Sequence, residues 1–449
     1  MISVNPFTNK VVCTYEDHTE KEVRQIISKV AESWRTWRKT SCEERAGYLF
    51  NLENQLTRDQ EQLADIMVAE MGKVRKEALG EIKKCAWVCR YYAENGAGFL
   101  QNEAVKTEAG ESYVSFQPLG TILAIMPWNF PFWQVFRFLA PALMAGNTAV
   151  LKHASNVPGC SLAIEETVKK AGLPDHVFRS LLIGGKEVEQ VIQNPHIKAV
   201  TLTGSTPAGK FVAQAAGAVL KKTVLELGGS DPYLVLPDAN IEEAARLCVA
   251  GRLLNAGQSC IGAKRFIIHE AVYDQFRDLF IRYMLEARYG DPNDGGTAIG
   301  PLARHDLRDD LHKQVKISEE KGAKIVCGGF IPEHTAAFYP PTVLENVKPG
   351  MPAYEEELFG PVASLIKVRS EEEAVRIAND TVFGLGAGIF TSDISKGREL
   401  AEKSIEAGCV FVNDYVKSDP RLPFGGIRES GYGRELAVFG IREFVNIRT

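Results

Sequence analysis

Residues 121–151 read TILAIMPWNFPFWQVFRFLAPALMAGNTAVL, and this stretch decides the fold. TILAIM (121–126) is an apolar run of strand length, and so is TAVLKH (148–153). Between them, PFWQVFRFLAPALMAG (131–146) has helical character and stops at Gly146, a suitable C-terminal cap. The stretch therefore predicts a strand, a loop, a buried helix and a second strand parallel to the first.

The same stretch is too interrupted to cross a membrane. A span needs about 20 mostly apolar residues without such breaks. Prolines and polar residues interrupt this run at Pro127, Asn129, Pro131, Arg137 and Pro141. We expect no membrane segment here.

The alternation of strands and helices continues beyond residue 153. Further strands are predicted at 177–184, 198–204 and 223–227, and further helices at 158–172, 186–193 and 206–220. Such alternation is typical of a parallel sheet covered by helices on both faces. After Gly229 the pattern restarts, which predicts a domain boundary near residue 228. The second unit has strands at 233–236 and 265–270 and helices at 241–255 and 272–287.

The rest of the chain divides into helical and strand-like stretches. Residues 21–37 and 42–71 carry apolar residues at helical spacing among charges. Residues 112–120 and 443–449 are strand-like but fit neither α/β unit. Exposed edge strands favour pairing with another chain, so we expect a partner contact at these stretches.

Composition excludes several classes of protein. The 449 residues are 45% hydrophobic and 24% charged, as in an average globular protein. The net charge of −5 argues against a protein that coats nucleic acid or an anionic membrane. Nine cysteines scattered along a chain with no secretory signal indicate reduced thiols and a cytoplasmic location.

One turn suits a phosphate group. TGSTPAG follows a predicted strand and opens a predicted helix, with Gly204 and Gly209 five positions apart. Free N–H groups at a helix N-terminus bind anions. A tight strand-to-helix turn that binds nothing would use the same residues, so both interpretations stay open. There is no G-x-G-x-x-G motif.

Three polar residues are candidates for catalysis. Cys260 lies in NAGQSCIGAKR, a small-residue loop after a helix, which favours a nucleophile over a buried thiol. Glu226, at the end of an apolar strand in VLELGGSDP, is a general-base candidate, although a salt-bridged carboxylate would look the same. Asn129 in PWNFP suits an oxyanion donor.

No metal site is indicated. The eight histidines include no H-E-x-x-H, and the cysteines show no paired ligand spacing. The string GQSCI lacks the second glycine of a nucleophile elbow.

Taken together, these strings resemble the aldehyde dehydrogenase superfamily over essentially the whole chain. The matching motifs, in the family's order, are MPWNFP (126–131), TGS (203–205), LELGG (225–229), GQSC (257–260), EELFGPV (356–362) and PFGG (423–426). The spacings also agree, because Cys260 follows Glu226 by 34 positions and Glu357 follows Cys260 by 97. Within the superfamily the chain is similar to the bacterial-type succinate-semialdehyde dehydrogenases.

The resemblance implies a role for each matching residue. Cys260 would attack the aldehyde, Asn129 and the Cys260 N–H would hold the oxyanion, and Glu226 would activate water. The cofactor would be contacted by Trp128, Lys152, Ser155, Gly204, Ser205, Leu227, Glu357 and Phe359. In EEELFGPV, Glu357 reads locally as part of a solvated acidic run, so its role comes from the resemblance alone.

The family's fold implies three parts. A Rossmann-type parallel-sheet cofactor domain would comprise residues 1–103 and 121–227, and an α/β catalytic domain residues 228–427. A small bridging and oligomerisation β element would comprise residues 104–120 and 428–449. The resemblance implies a homodimer or homotetramer.

Substrate and cofactor preferences follow from a few positions. Arg137 would bind the carboxylate of succinic semialdehyde, and Ser259 and Ser418 would add hydroxyl hydrogen bonds. Some succinate-semialdehyde enzymes carry a second arginine six positions before the cysteine, where this chain has Leu254. Three alternatives stay open: a broad dehydrogenase for uncharged aldehydes, a catalytically silent binding protein, and a cysteine hydrolase, which lacks a histidine partner.

The cofactor preference rests on LKHAS. Where the family often has a glutamate that bonds the adenosine ribose, this chain has Ser155, three positions after Lys152. A small neutral side chain leaves Lys152 free to pair a 2′-phosphate. We therefore predict NADP as the preferred cofactor, with NAD possible.

Overall fold

A computed structural model describes all residues, 1–449. The helices are α1 (Glu20–Trp37), α2 (Cys42–Arg58), α3 (Gln60–Met71), α4 (Arg75–Phe99), α5 (Trp133–Met144), α6 (Pro158–Lys170), α7 (Val188–Gln193), α8 (Thr206–Gly217), α9 (Ile241–Leu253), α10 (Tyr273–Glu286), α11 (His305–Glu320), α12 (Pro352–Glu355), α13 (Glu371–Asn379), α14 (Ile394–Lys403) and α15 (Ala437–Glu443). Two short 3₁₀ helices cover Leu254–Gly257 and Arg428–Ser430.

Eighteen strands complete the secondary structure. They are β1 (Ile2–Val4), β2 (Val11–Thr14), β3 (Glu103–Ala104), β4 (Tyr113–Pro118), β5 (Thr121–Met126), β6 (Thr148–His153), β7 (Phe178–Ser180), β8 (Ile197–Thr203), β9 (Lys222–Glu226), β10 (Pro232–Val235), β11 (Arg265–His269), β12 (Lys324–Cys327), β13 (Thr342–Glu345), β14 (Val362–Val368), β15 (Gly386–Phe390), β16 (Cys409–Val412), β17 (Gly431–Tyr432) and β18 (Val445–Arg448).

The stretch that opens the sequence argument forms the centre of a six-stranded sheet. Its strand order is β17-β9-β8-β5-β6-β7, and all neighbours are parallel except β17 against β9. All six residues of β5 are buried, because helices cover both faces of the sheet. Leu123 and Ile125 point to the face packed by α1, α7 and α8, and the alternate residues point to the opposite face. The order reverses between β5 and β8, which is where a doubly wound sheet opens a crevice for a ligand.

A seven-stranded sheet forms the second unit, in the order β12-β13-β14-β11-β10-β15-β16. Only the β12–β13 pair is antiparallel. The order reverses between β10 and β15, so this sheet has its own crevice at the carboxyl ends of its strands.

The two strand-like stretches that fit neither unit pair with each other. β4 lies between β18 and β3 in a three-stranded antiparallel sheet, with Gln117 opposite Asn446. The domain boundaries given by the family resemblance stay a prediction.

Local sequence explains the helix boundaries. The N-terminus of α1 is closed by a capping box of Thr19 and Glu22, and that of α2 by Ser41 and Glu44. The helical stretch predicted over 42–71 is two helices, α2 and α3, because Asp59 leaves the helical conformation at φ −95° and ψ 10°. None of the helices is both long and apolar enough to traverse a lipid bilayer.

Candidate active site

The six-stranded sheet brings separate motifs to one edge. Asn129 follows the carboxyl end of β5, Gly204 follows β8, and Glu226 ends β9. These three strands are adjacent in the order β9-β8-β5, so their carboxyl ends meet at the crevice. Parallel pairing therefore assembles residues that lie up to 97 positions apart in the chain.

The loop that carries Cys260 has an unusual backbone. Asn255, Ala256 and Gly257 have left-handed φ values of 56°, 56° and 74°. A Cβ on Gly257 would lie 2.3 Å from the backbone of Gly360, so only glycine allows this approach. The GQSC and EELFGPV motifs meet at this contact.

Two buried cations hold the loop in place. The Lys264 Nζ donates to the carbonyl oxygens of Ser259, Cys260 and Gly262 at 3.2, 3.0 and 3.1 Å. The Arg252 Nη2 donates to the Gly257 carbonyl at 2.6 Å. The loop therefore has a defined shape before any ligand binds.

The Asn129 amide is tied to the same loop. Its Nδ2 donates to the Gln258 carbonyl at 3.0 Å, and its Oδ1 accepts from Gln134 Nε2 at 3.2 Å. The Asn255 Nδ2 donates to both the Asn129 and the Gln258 carbonyl oxygens, at 2.8 and 3.1 Å. Since an amide nitrogen has two protons, one remains for an oxyanion.

The Cys260 thiol is partly exposed, and its surroundings favour the protonated form. Burial raises its pKa to about 12, and Arg137 opposes this rise while Glu357 and Glu226 add to it. The thiol is therefore protonated near neutral pH in this structure. Nucleophilic attack requires that this proton leave, and because the thiol is partly exposed, water can accept it.

Glu226 is a buried carboxyl group with no hydrogen-bond partner on either oxygen. Burial raises its pKa well above the ordinary value, Glu435 adds to the rise, and Arg137 opposes it. A raised pKa makes the carboxylate a stronger base. A Cβ on Gly425 would lie 2.7 Å from Glu226 Oε1, which places the PFGG motif directly beside this carboxyl.

Two of the candidate cofactor residues, Glu357 and Phe359, lie in the motif that contacts the Cys260 loop. Glu357 Oε1 accepts from the Gly229 N–H at 3.1 Å and lies 3.7 Å from Lys264 Nζ. Phe359 packs edge-on against Trp128, with ring centroids 5.8 Å apart. Glu357 and Phe359 also line a cavity of about 460 Å³ beside α11. Leu227 is buried near Gly209, where a Cβ would lie 2.5 Å from a Leu227 methyl carbon.

Two further features suit the phosphates of a dinucleotide. Ser205 is the N-cap residue of α8, but its hydroxyl caps no helical N–H, and the residue is exposed. Gly204 and Ser205 therefore leave a helix N-terminus open to an anion. At the carboxyl end of β6, Lys152 forms no ion pair within 4.0 Å, and burial lowers its pKa. Ser155 lies nearby in the chain and is exposed.

Cys260 opens onto a second cavity, of about 240 Å³. Ser259 lies in its wall, and the Ser259 hydroxyl is buried without a partner. Ser418 also lines it, and its Oγ accepts from Trp133 Nε1 at 3.0 Å. Leu254 contributes an apolar part of the wall. All three candidate substrate residues, Arg137, Ser259 and Ser418, are thus brought to one cavity with the thiol.

Arg137 forms contacts within the protein that the sequence did not reveal. Its guanidinium pairs with Glu435, donates from Nη2 to Thr203 Oγ1 at 3.2 Å, and lies 4.7 Å from the Phe424 ring centroid. Glu435 lies 298 positions away in the chain, so no local pattern connects the two. The arginine is therefore both salt-bridged and part of the cavity wall.

Comparison with known proteins identifies the class. The model of the aldehyde dehydrogenase family matches residues 1–449. A probable succinate-semialdehyde dehydrogenase (NADP(+)) from Synechocystis sp. is 46% identical over 447 residues, which cover 100% of this chain and 98% of that protein. An aldehyde dehydrogenase from Paenarthrobacter nicotinovorans is 47% identical over 451 residues, with the same coverage of 100% and 98%.

A solved structure agrees with these relatives. Succinic semialdehyde dehydrogenase from Streptococcus pyogenes, in complex with NADP+, superimposes with a TM-score of 0.97 at 39% identity and covers 100% of this chain and 98% of that chain. The chain belongs to the aldehyde dehydrogenase family. The predicted fold class and the family resemblance are confirmed.

We expect Asn129→Ala to slow the acylation step by about 100-fold, since removal of one oxyanion donor costs about 3 kcal/mol. Single-turnover formation of the reduced dinucleotide measures this step. Gln134→Ala is the matched control, because Gln134 contacts only the carbonyl side of the Asn129 amide. An unchanged rate in Asn129→Ala would show that the amide only supports the loop.

Proposed function

We propose that the protein oxidises succinic semialdehyde to succinate with NADP. As a member of its family, the chain is an NAD(P)-dependent aldehyde dehydrogenase. One observation carries the choice of substrate: the Cys260 thiol shares its cavity with cationic side chains, Arg137 among them, and with the Ser259 and Ser418 hydroxyls. An aldehyde with a carboxylate at its far end matches that lining. The Synechocystis and S. pyogenes relatives are named for this substrate.

The residues divide the reaction into two halves. Cys260 Sγ forms a bond to the aldehyde carbon as its proton passes to water at the partly exposed thiol, and the Asn129 amide and the Cys260 N–H hold the oxyanion. The bound dinucleotide supplies the acceptor for the hydride that leaves that carbon. Cys260 is then part of a thioester. Glu226 takes a proton from water, the water oxygen bonds to the carbonyl carbon, and the C–S bond breaks to release succinate and the thiol.

The dinucleotide fits the residues present. The open N-terminus of α8 at Ser205 suits the pyrophosphate, and the cation of Lys152, without a carboxylate partner, suits a 2′-phosphate. Glu357 and Phe359 would contact the nicotinamide ribose and ring.

Ser155→Glu is expected to reverse the cofactor preference. A carboxylate at this position repels the 2′-phosphate of NADP and hydrogen-bonds the free ribose hydroxyls of NAD. The ratio of kcat/KM for NADP over NAD is the measurement, and Ser155→Gln is a control of the same size without the charge. A native enzyme with a lower Michaelis constant for NAD would contradict the proposal.

The substrate proposal is tested with a pair of aldehydes of similar length. Succinic semialdehyde and butanal differ at the far end by a carboxylate against a methyl group. We expect a kcat/KM for succinic semialdehyde at least about 10-fold higher, the lower bound for a charge-assisted hydrogen bond. Equal values for both aldehydes would overturn the assignment.

A second candidate function is favoured by the apolar part of the cavity. Phe130, Trp133, Phe424 and Leu254 line it, and Leu254 occupies the position where the family resemblance leads us to expect a second arginine. These residues suit medium-chain or aromatic aldehydes. Equal activity on both test aldehydes is the result that this function predicts.

We also propose that the enzyme works in the cytoplasm as a homodimer or homotetramer. The edge strand β18 supports the assembly, because it pairs with β4 on one side only and Ile447 on it is 63% exposed. Light scattering on the purified protein distinguishes these states from a monomer.

A further inference from the structure

Three charged residues of α4 lie on the face that meets the Cys260 cavity. Glu77, Glu81 and Lys84 follow each other by four and three positions, so they share one side of the helix. Glu81 pairs with Lys73 and accepts from the N–H groups of Phe132 and Trp133 at 2.8 and 2.9 Å.

Glu77 is likewise engaged within the protein. It accepts from the Asn255 N–H at 2.9 Å, and burial raises its pKa. Both carboxyl groups therefore hold the backbone around the active site. Lys84 is the charged residue on this face whose side chain forms no hydrogen bond to the backbone.

Lys84 differs from the other two cations in the cavity wall. Arg137 pairs with Glu435, and Lys417 pairs with Asp414 at 2.5 Å. The structure contains no carboxylate within 4.0 Å of the Lys84 ammonium. Of the three cations in the cavity wall, Lys84 is therefore the one without an ion-pair partner within 4.0 Å.

The contacts of Lys84 leave it ready for an anion. Its Nζ donates to Ser418 Oγ at 2.9 Å and lies 4.3 Å from the centroid of the Trp133 ring. An ammonium has three N–H donors, so two remain. Ser418 Oγ accepts from both Lys84 and Trp133, which leaves its own proton free to donate. The ring supports the cation in the absence of a carboxylate.

We propose that Lys84 determines substrate specificity by forming the ion pair with the far carboxylate of the aldehyde, assisted by the Ser418 hydroxyl. This inference rests on the proposed function and names the residue that selects its substrate class, short aldehydes ending in a carboxylate. Arg137 is already paired with Glu435 and borders the same cavity, and both residues influence the pKa of Glu226. An Arg137 variant is a poor test because it also changes the surroundings of the general base.

The first test compares Lys84→Met with Lys417→Met. Methionine keeps the length of the lysine stem without its charge. We expect Lys84→Met to raise the Michaelis constant for succinic semialdehyde by roughly 10- to 150-fold, the range of a charge-assisted hydrogen bond. The kinetic constants for butanal stay within about twofold of the native values.

Lys417→Met is the control. It leaves the Michaelis constants for both aldehydes nearly unchanged, since Lys417 is already paired with Asp414. Lys84→Arg, which keeps the positive charge, should retain part of the native preference for succinic semialdehyde over butanal.

The outcomes separate the two proposals. A native enzyme that does not prefer succinic semialdehyde over butanal overturns the proposed function, and this inference with it. A native preference that survives in Lys84→Met overturns this inference alone. Equal losses on both aldehydes also overturn it, because they would make Lys84 a structural residue. Butanal turnover reports whether the variant folds, and the inhibition constant of succinate measures carboxylate binding without any reaction.

A pH series gives a second readout. Burial, together with the smaller effect of Arg137, lowers the pKa of Lys84 to about 8, against the opposing effects of Cys85, Glu81 and Asp419. A lowered pKa means that the ammonium is present below about pH 8 and lost above it. The ratio of the Michaelis constants for succinic semialdehyde and butanal is therefore expected to rise above this pH in the native enzyme. The ratio stays flat in the methionine variant, and a native ratio that is also flat contradicts the inference.

Discussion

Cys260→Ala is expected to abolish aldehyde oxidation, because alanine cannot form the thiohemiacetal from which hydride leaves. The loss should exceed that of any other single change, since no other thiol shares the cavity. The measurement is the appearance of reduced dinucleotide with succinic semialdehyde and with butanal. Dinucleotide binding, followed by fluorescence or calorimetry, should persist, because Cys260 lies on the loop and not on the β5–β8 edge where we propose that the phosphates bind.

Cys327→Ala is the matched control for this experiment. Cys327 is also a partly exposed free thiol, but it lies on β12 at the edge of the seven-stranded sheet. We expect full activity in this variant. Retained turnover in Cys260→Ala would refute the cysteine mechanism for this enzyme.

Glu226→Gln is expected to separate the two halves of the reaction. The amide keeps the shape of the carboxyl group but cannot accept a proton from water. General-base catalysis contributes about 10²- to 10⁴-fold, so thioester hydrolysis should slow by that factor. Rapid mixing should then show a burst of reduced dinucleotide followed by a slow steady state.

Hydroxylamine is the control that identifies the slow step. As a nucleophile that needs little general-base help, it should cleave the accumulated thioester and accelerate the second phase of Glu226→Gln. A variant with no burst, or with a slow phase that hydroxylamine leaves unchanged, would show that Glu226 does not act on the thioester.

Much of the fold was predictable because it depends on local patterns. The predicted strands at 121–126 and 148–153 coincide with β5 and β6, and the predicted helix at 131–146 contains α5. Buried parallel strands need continuous apolar runs, and these are visible in a single sequence. The break between α2 and α3 at Asp59 was missed, because the helical spacing of apolar residues runs on across it.

Candidate site residues were predictable from the sequence where they lie in a distinctive loop. Cys260 and Asn129 stand out because polar groups between glycines or prolines have few structural reasons to be there. Glu357 needed the family resemblance, since its neighbours Glu355 and Glu356 make it look solvated. In the structure those two are exposed, while Glu357 turns inward to the Gly229 N–H. Its assigned role, like those of the other site residues, stays a prediction.

The sequence by itself determined the order of strands and helices, the loop that carries the thiol, and the motifs of the family, because each depends on residues close together in the chain. Only the tertiary structure decided which charges are neutralised. In the sequence, Lys84 is one of three lysines on α4, and Arg137 is the only charged residue on the apolar helix α5. Arg137 is ion-paired and Lys84 is not, because their partners differ: Glu435 for Arg137 and Ser418 for Lys84. Both partners are hundreds of positions away in the chain and reach the cavity only when the sheets pack together. Charge pairing is a property of distance in space, and a linear pattern does not contain that distance.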